Sequence, residues 1–221
     1  MRKGLIELPT TKKTYISYGL ILIVSIGLLL YYQTTTYGSY VLILVMSIGY
    51  LLSIINAPIT KAKTLPPKLG EDYKKFIKKR YGSIRKRNRD SKVIESNINL
   101  NLGFLVFVFY AIYLLTKTPP MEFVLLFSLT TAIYMYLSGI ESAIGIITPI
   151  YPVFLVLPAS IFLNTSSANL FFSSAILGLL VSSIFAIREI KQKRLITVNI
   201  GGRGNFEAYF IIGLITLLFF F

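Results

Sequence analysis

The chain has 221 residues, 54% of them hydrophobic, with 23 Lys and Arg against 9 Asp and Glu, a formal net charge of +14. It contains no Cys and no His, which excludes disulfides, thiolate nucleophiles, Cys/His zinc sites, His-held haem and His general bases, so no metal or cofactor is called for. The apolar residues gather in separate runs, several near the ~20 residues that cross a hydrocarbon core as helix, and a soluble core cannot bury so many of them in a chain of this length. The expected fold is an all-α, polytopic membrane helix bundle forming a single transmembrane domain over residues 1–221.

Seven spans are expected. The first, Tyr15–Tyr32, follows Arg2, Lys3, Lys12 and Lys13. That start resembles a signal peptide, but no small-residue cleavage site follows, so it reads as a retained helix. The second span is Tyr40–Ile55.

The loop 56–99 then carries thirteen Lys and Arg. Within it Tyr73, Phe76, Ile77, Tyr81 and Ile84 recur at helical spacing. Lys74, Lys75, Lys78, Lys79, Arg80, Arg85, Lys86, Arg87 and Arg89 fill the other faces. Such an amphipathic surface helix lies on anionic headgroups, apolar stripe down. The bilayer is therefore the expected partner, with membrane or cytoplasmic proteins as further candidates for docking. Aromatic–basic interleaving permits nucleic-acid contact, but no motif requires it.

The third and fourth spans, Leu100–Leu115 and Met121–Leu137, are separated by a gap holding Lys117. Glu141 follows in a tight turn between Gly139 and Gly145, a candidate functional carboxylate. The fifth span, Ile144–Leu163, contains Pro149, Pro152 and Pro158. Each proline removes a backbone donor and clashes one turn back. A broken helix at membrane depth is tolerated where it lines a cavity, so these prolines are the best sequence pointer to one; a merely kinked helix is the plainer reading.

Asn164, in Asn164-Thr165-Ser166, heads a glycosylation sequon between the fifth span and the sixth, Ala168–Ile187. Before the last span, Phe206–Phe221, stands Gly201-Gly202-Arg203-Gly204-Asn205. Asn205 can cap the coming helix, and free N–H groups beside Arg203 would suit an anion or a lipid phosphate. No Lys-Ser/Thr ending follows, which argues against ATP, and a tight turn into the helix is the plainer reading. Glu207, in the first helical turn, either complements the positive helix end or is a functional carboxylate at the membrane face.

Counted by loop, 22 of the 23 positive charges fall on one side of a seven-span chain. The positive-inside rule makes that side cytoplasmic, with the N-terminus inside, the C-terminus outside and the cell membrane as location. Most of the +14 is then positional.

Several segments together resemble an uncharacterised prokaryotic membrane family, domain of unknown function 1614. They are Ser47-Ile48-Gly49 with Ile55-Asn56-Ala57-Pro58-Ile59, then Asn99-Leu100-Asn101-Leu102-Gly103, and Gly201 through Phe210 with Gly213. The resemblance runs from about Met46 to the C-terminus, and it implies fold and site placement, not an activity. The family's acid in the final motif corresponds to Glu207. A second family acid falls near Ser182-Ser183-Ile184, where this chain has none.

An accessory or structural subunit, or a transport-like ligand-binding protein, is therefore expected. An intramembrane hydrolase of the aspartyl type is the alternative. It needs paired carboxylates, and no expected span contains Asp.

Overall fold

Runs of Leu, Ile, Val and Phe leave few ways to satisfy backbone polar groups away from water, and helix is the simplest. The computed structural model describes residues 8–31, 36–64, 94–141, 145–162, 167–187, 197–202 and 204–220, and these are mostly helical. The helices are α1 (Lys12–Tyr31), α2 (Tyr37–Leu52), α3 (Leu102–Leu115), α4 (Pro120–Leu137), α5 (Pro152–Phe162), α6 (Ser167–Ile187) and α7 (Phe206–Phe220). Three stretches, Lys12–Tyr31, Pro120–Leu137 and Ala168–Ile187, are long and apolar enough to cross a membrane. The other helices have 11 to 16 residues.

The all-α expectation is corrected by two small sheets. Strands β1 (Asn56–Thr64), β2 (Ile94–Asn101) and β5 (Thr197–Ile200) form one, in the order β1-β2-β5. β1 runs antiparallel to β2, and β5 runs parallel to it. Strands β3 (Gly139–Glu141) and β4 (Gly145–Ile147) form an antiparallel pair. The cause is local. In Ile98-Asn99-Leu100-Asn101 and Val198-Asn199-Ile200 apolar and polar residues alternate, the period of a strand. These two stretches pair in register, Ile98 with Val198 and Asn99 with Asn199. Pro58, which has no N–H to give, sits on the edge strand β1, where the register shifts.

The sheet moves several expected boundaries. Leu100 and Asn101 close β2 instead of opening the third helix, and α2 stops at Leu52, short of Ile55. The ends of the basic loop are strands. Its expected surface helix, with Lys74 through Arg89, lies outside the described residues, as do Asn164 and Arg203. The expected fifth span changes most. Its first half is β4 and an irregular stretch through Tyr151, and only Pro152–Phe162 is helical. Pro152 opens α5, where a missing N–H is harmless, whereas Pro158 lies inside it.

Helices α3, α6 and α7 supply most of the buried aromatic core, through Phe104, Phe107, Phe171, Phe172, Tyr209 and Phe210. Phe107 stacks on Phe172 and meets Tyr209 edge-on, with ring centroids 5.9 and 5.0 Å apart. The backbones of α2 and α3 approach closely. A Cβ on Gly103 would strike the Gly49 carbonyl oxygen and lie 2.7 Å from Ser53 N and Cα.

Among the described residues, hydrogen bonds bring the starts of α1, α3 and α7 together with the ends of α2, α4 and α6. Direct bonds mark this end. The Tyr15 hydroxyl donates to Tyr50 O (2.6 Å), Leu102 N to Ile55 O (3.0 Å) and Thr148 N to Gly204 O (3.0 Å).

Candidate functional site

Both sheets and the Gly-rich turn lie at this gathered end, and with them a buried polar belt. Asn56, Asn99, Asn101, Asn199 and Asn205 are all buried. A buried amide must find partners or cost stability. Here each does.

Asn101 caps α3 by accepting from Phe104 N at 3.1 Å. Its Nδ2 donates to Ser53 O (2.6 Å) and Asn56 Oδ1 (3.1 Å), tying the end of α2 to β1. The Tyr209 hydroxyl donates to its Oδ1 at 3.4 Å. Asn99 Nδ2 donates to Asn199 Oδ1 at 2.8 Å, bridging β2 and β5.

Asn205, just before α7, accepts from Thr148 Oγ1 and donates to Ser183 Oγ, each at 3.1 Å. Thr148 Oγ1 also lies 3.4 Å from Ser138 Oγ. One chain of polar side chains thus links the end of α4, the irregular stretch before α5, the start of α7 and α6. Ser183 belongs to the stretch where the family resemblance places a second acid, and it faces the turn that carries Glu207.

The glycines of the turn are there for space and conformation. Gly201 (φ 69°) and Gly204 (φ 97°) have left-handed backbones that favour glycine. A Cβ on Gly201 would enter the Phe104 side chain, and one on Gly204 would strike the Ile146 carbonyl oxygen. Gly204 therefore lets the turn lie directly on β4.

The amides of the turn are partly engaged internally. Phe206 N and Asn205 N both donate to Gly202 O, at 2.9 and 3.0 Å, and Ala208 N donates to Asn205 O at 3.1 Å. Fewer donors are left for an anion at Gly201–Asn205 than the sequence suggested.

Beside this turn is a cavity of about 320 Å³. Pro9 walls it from the N-terminal segment, Ile147 through Ile150 from the broken fifth element, and Gly204, Phe206 and Glu207 from the turn and the start of α7. Of the three prolines expected to mark a cavity, Pro149 lines it and Pro152 is buried three residues beyond, while Pro158 is exposed. Thr10, itself buried, donates through Oγ1 to Glu207 Oε1 at 3.3 Å.

Glu141 pairs with Gly145 in the β3–β4 ladder, and its side chain lies outside the described part. Among the described residues no group of three or more His, Cys, Asp or Glu could hold a metal ion.

Sequence reasoning missed the belt and Ser183. The signal was present: Asn56, Asn99, Asn101 and Asn199 stand at strand or cap positions beside Ile, Leu or Val, where an isolated polar residue needs a structural partner.

No curated protein and no solved structure matches the chain. The family described as "Protein of unknown function (DUF1614)" matches residues 50–219, from the end of α2 into the last turn of α7, and so takes in both sheets, the belt and most of the cavity wall. This match covers more than half of the chain, and the chain belongs to that family.

Proposed function

We propose that this protein is a seven-span membrane protein whose cytoplasmic end holds a ligand-binding chamber of transport-like type. One observation carries the reading: the cavity lies where the fifth element is broken and against the Gly-rich turn. Irregular backbone inside a membrane bundle persists where protein or a cavity satisfies it. A polar belt then holds this irregular end in one shape, as a binding chamber requires. The bonds that bring the starts of α1, α3 and α7 to the ends of α2, α4 and α6 support the seven-span topology, in which the sequence assigns 22 of the 23 Lys and Arg to one side. An intramembrane hydrolase is disfavoured, since among the described residues the cavity wall contains one carboxylate and aspartyl chemistry uses two.

The absence of native Cys makes single-cysteine labelling a clean test. With a membrane-impermeant maleimide, Lys61→Cys should label only from the cytoplasmic face and Thr116→Cys only from outside. Ile150→Cys should label from the cytoplasmic face, through the chamber. Labelling of Lys61→Cys and Thr116→Cys from the same face would sink the topology, and a wholly unreactive Ile150→Cys would sink the chamber.

A further inference from the structure

The chamber's chemistry selects the charge of its occupant. We infer that it binds a small organic cation, with an ammonium group on Glu207 and an apolar body against Pro9, Pro149 and Ile150. The inference rests on the chamber reading and adds the ligand class to it.

Several donors of the wall are missing or already engaged. Pro9 and Pro149 have no N–H to give. Thr148 N is taken by Gly204 O and Phe206 N by Gly202 O. The Thr148 hydroxyl is occupied with Asn205. Among the described residues Glu207 is the one ionisable residue in the lining. Among the described residues its side chain has a single hydrogen-bond partner, the Thr10 hydroxyl on Oε1. A carboxylate can accept about four bonds, so most of its capacity is open to a ligand's N–H groups.

An anion would meet this carboxylate at close range with few amides to compensate, whereas an ammonium would gain a charge-assisted hydrogen bond. Pro9, Ile147, Pro149 and Ile150 supply apolar wall, which favours an alkyl body. A volume of about 320 Å³ is at the lower end for small-molecule sites, which limits the ligand to a few carbons.

The test uses the full chain in nanodiscs, with n-butylammonium as probe and butyrate as its counterpart of similar shape and opposite charge. In the single-cysteine Ile150→Cys protein, butylammonium should slow maleimide labelling at least about fivefold at saturation, because a bound ligand excludes the reagent. Butyrate and sodium should not. Glu207→Gln should abolish the protection, and Glu207→Asp, which keeps the charge, should retain part of it. Equal protection by butyrate, or protection that survives Glu207→Gln, overturns the inference. So does ready labelling that butylammonium leaves unchanged, and in that case the chamber itself stands. The decisive comparison of butylammonium with butyrate uses native Glu207 and does not require the Gln variant to fold. If Ile150→Cys never reacts, the chamber reading fails instead.

Discussion

Helices α1 and α6 are both long and apolar enough to cross a membrane, yet they have opposite places in the molecule. In their most apolar windows 17% of α1 is buried within the protein against 61% of α6, and α4 resembles α1. Apolarity does not separate them. The difference is in small and hydroxylated residues. α6 presents Ser173, Ser174, Ala175, Gly178, Ser182 and Ser183 on buried faces. These allow close contact: a Cβ on Gly178 would lie 2.8 Å from Thr130 Oγ1 of α4, and Thr130 Oγ1 donates to Ser174 O at 3.1 Å. α1 instead exposes Leu20, Ile23, Val24 and Leu30. It is held at one end by a reciprocal lock in which Tyr15 and Tyr50 each donate to the other's carbonyl, at 2.6 and 2.9 Å, with rings stacked 4.3 Å apart. In lipid, where hydrophobicity does not drive helices together, close packing and hydrogen bonds decide which helix becomes central.

The sharpest way to break this contrast is at the close approach of α2 and α3. Gly103→Ala inserts a methyl group between the backbones of α3 and α2, against Gly49 O and Ser53, and neither neighbour is a flexible side-chain end. Overpacking of this kind costs about 1–3 kcal/mol and occasionally more. Forced onto backbone, it should fall at or above the upper end of that range. Reversible unfolding in mixed micelles should show a loss of about 3 kcal/mol or outright failure to fold. A loss below about 1 kcal/mol would mean that α2 and α3 separate easily.

The next largest effect is expected at the polar belt. Asn101→Leu removes the cap of α3 and the donor to Ser53 O and Asn56, leaving buried groups without partners. Each orphaned group costs about 1–3 kcal/mol, so a loss of about 3 kcal/mol is expected in the same unfolding measurement. A near-neutral result would show that water enters this end and replaces the lost bonds.

Much of this was legible in the sequence. The order of the seven described helices follows from the apolar runs, because helix satisfies the backbone of a long apolar run most simply, although the first half of the fifth run is strand and irregular backbone. The cavity's place was foreshadowed by Pro149 and the Gly-rich turn, two features whose backbone constraints are local. The sheet was not legible as such. Asn97–Asn101 and Thr197–Ile200 are nearly a hundred residues apart, and their pairing depends on tertiary contact that a local pattern only permits. The internal bonding of the turn was equally hidden, since Gly201 and Gly204 advertise left-handed backbone but not which carbonyl their neighbours will choose. Thr10, the partner of Glu207, lies 197 residues away in sequence, and no spacing rule reaches that far.

The smallest effect is expected on the outer surface of α1, and it closes the comparison from the other side. Ile23 is 66% exposed and Val24 59% exposed. If those faces meet lipid, Ile23→Ala exchanges one apolar surface for another without leaving a hole, because fluid acyl chains fill the space. The large-to-small penalty of a protein core, about 2–5 kcal/mol for Ile→Ala, has no origin there. The change should therefore stay within about 0.5 kcal/mol in bilayer nanodiscs, as for surface substitutions away from special features. A loss of core size at Ile23 would mean that α1 is covered by protein in the membrane, through a second copy or another chain. In that case the sorting of helices by small residues would hold within one chain only.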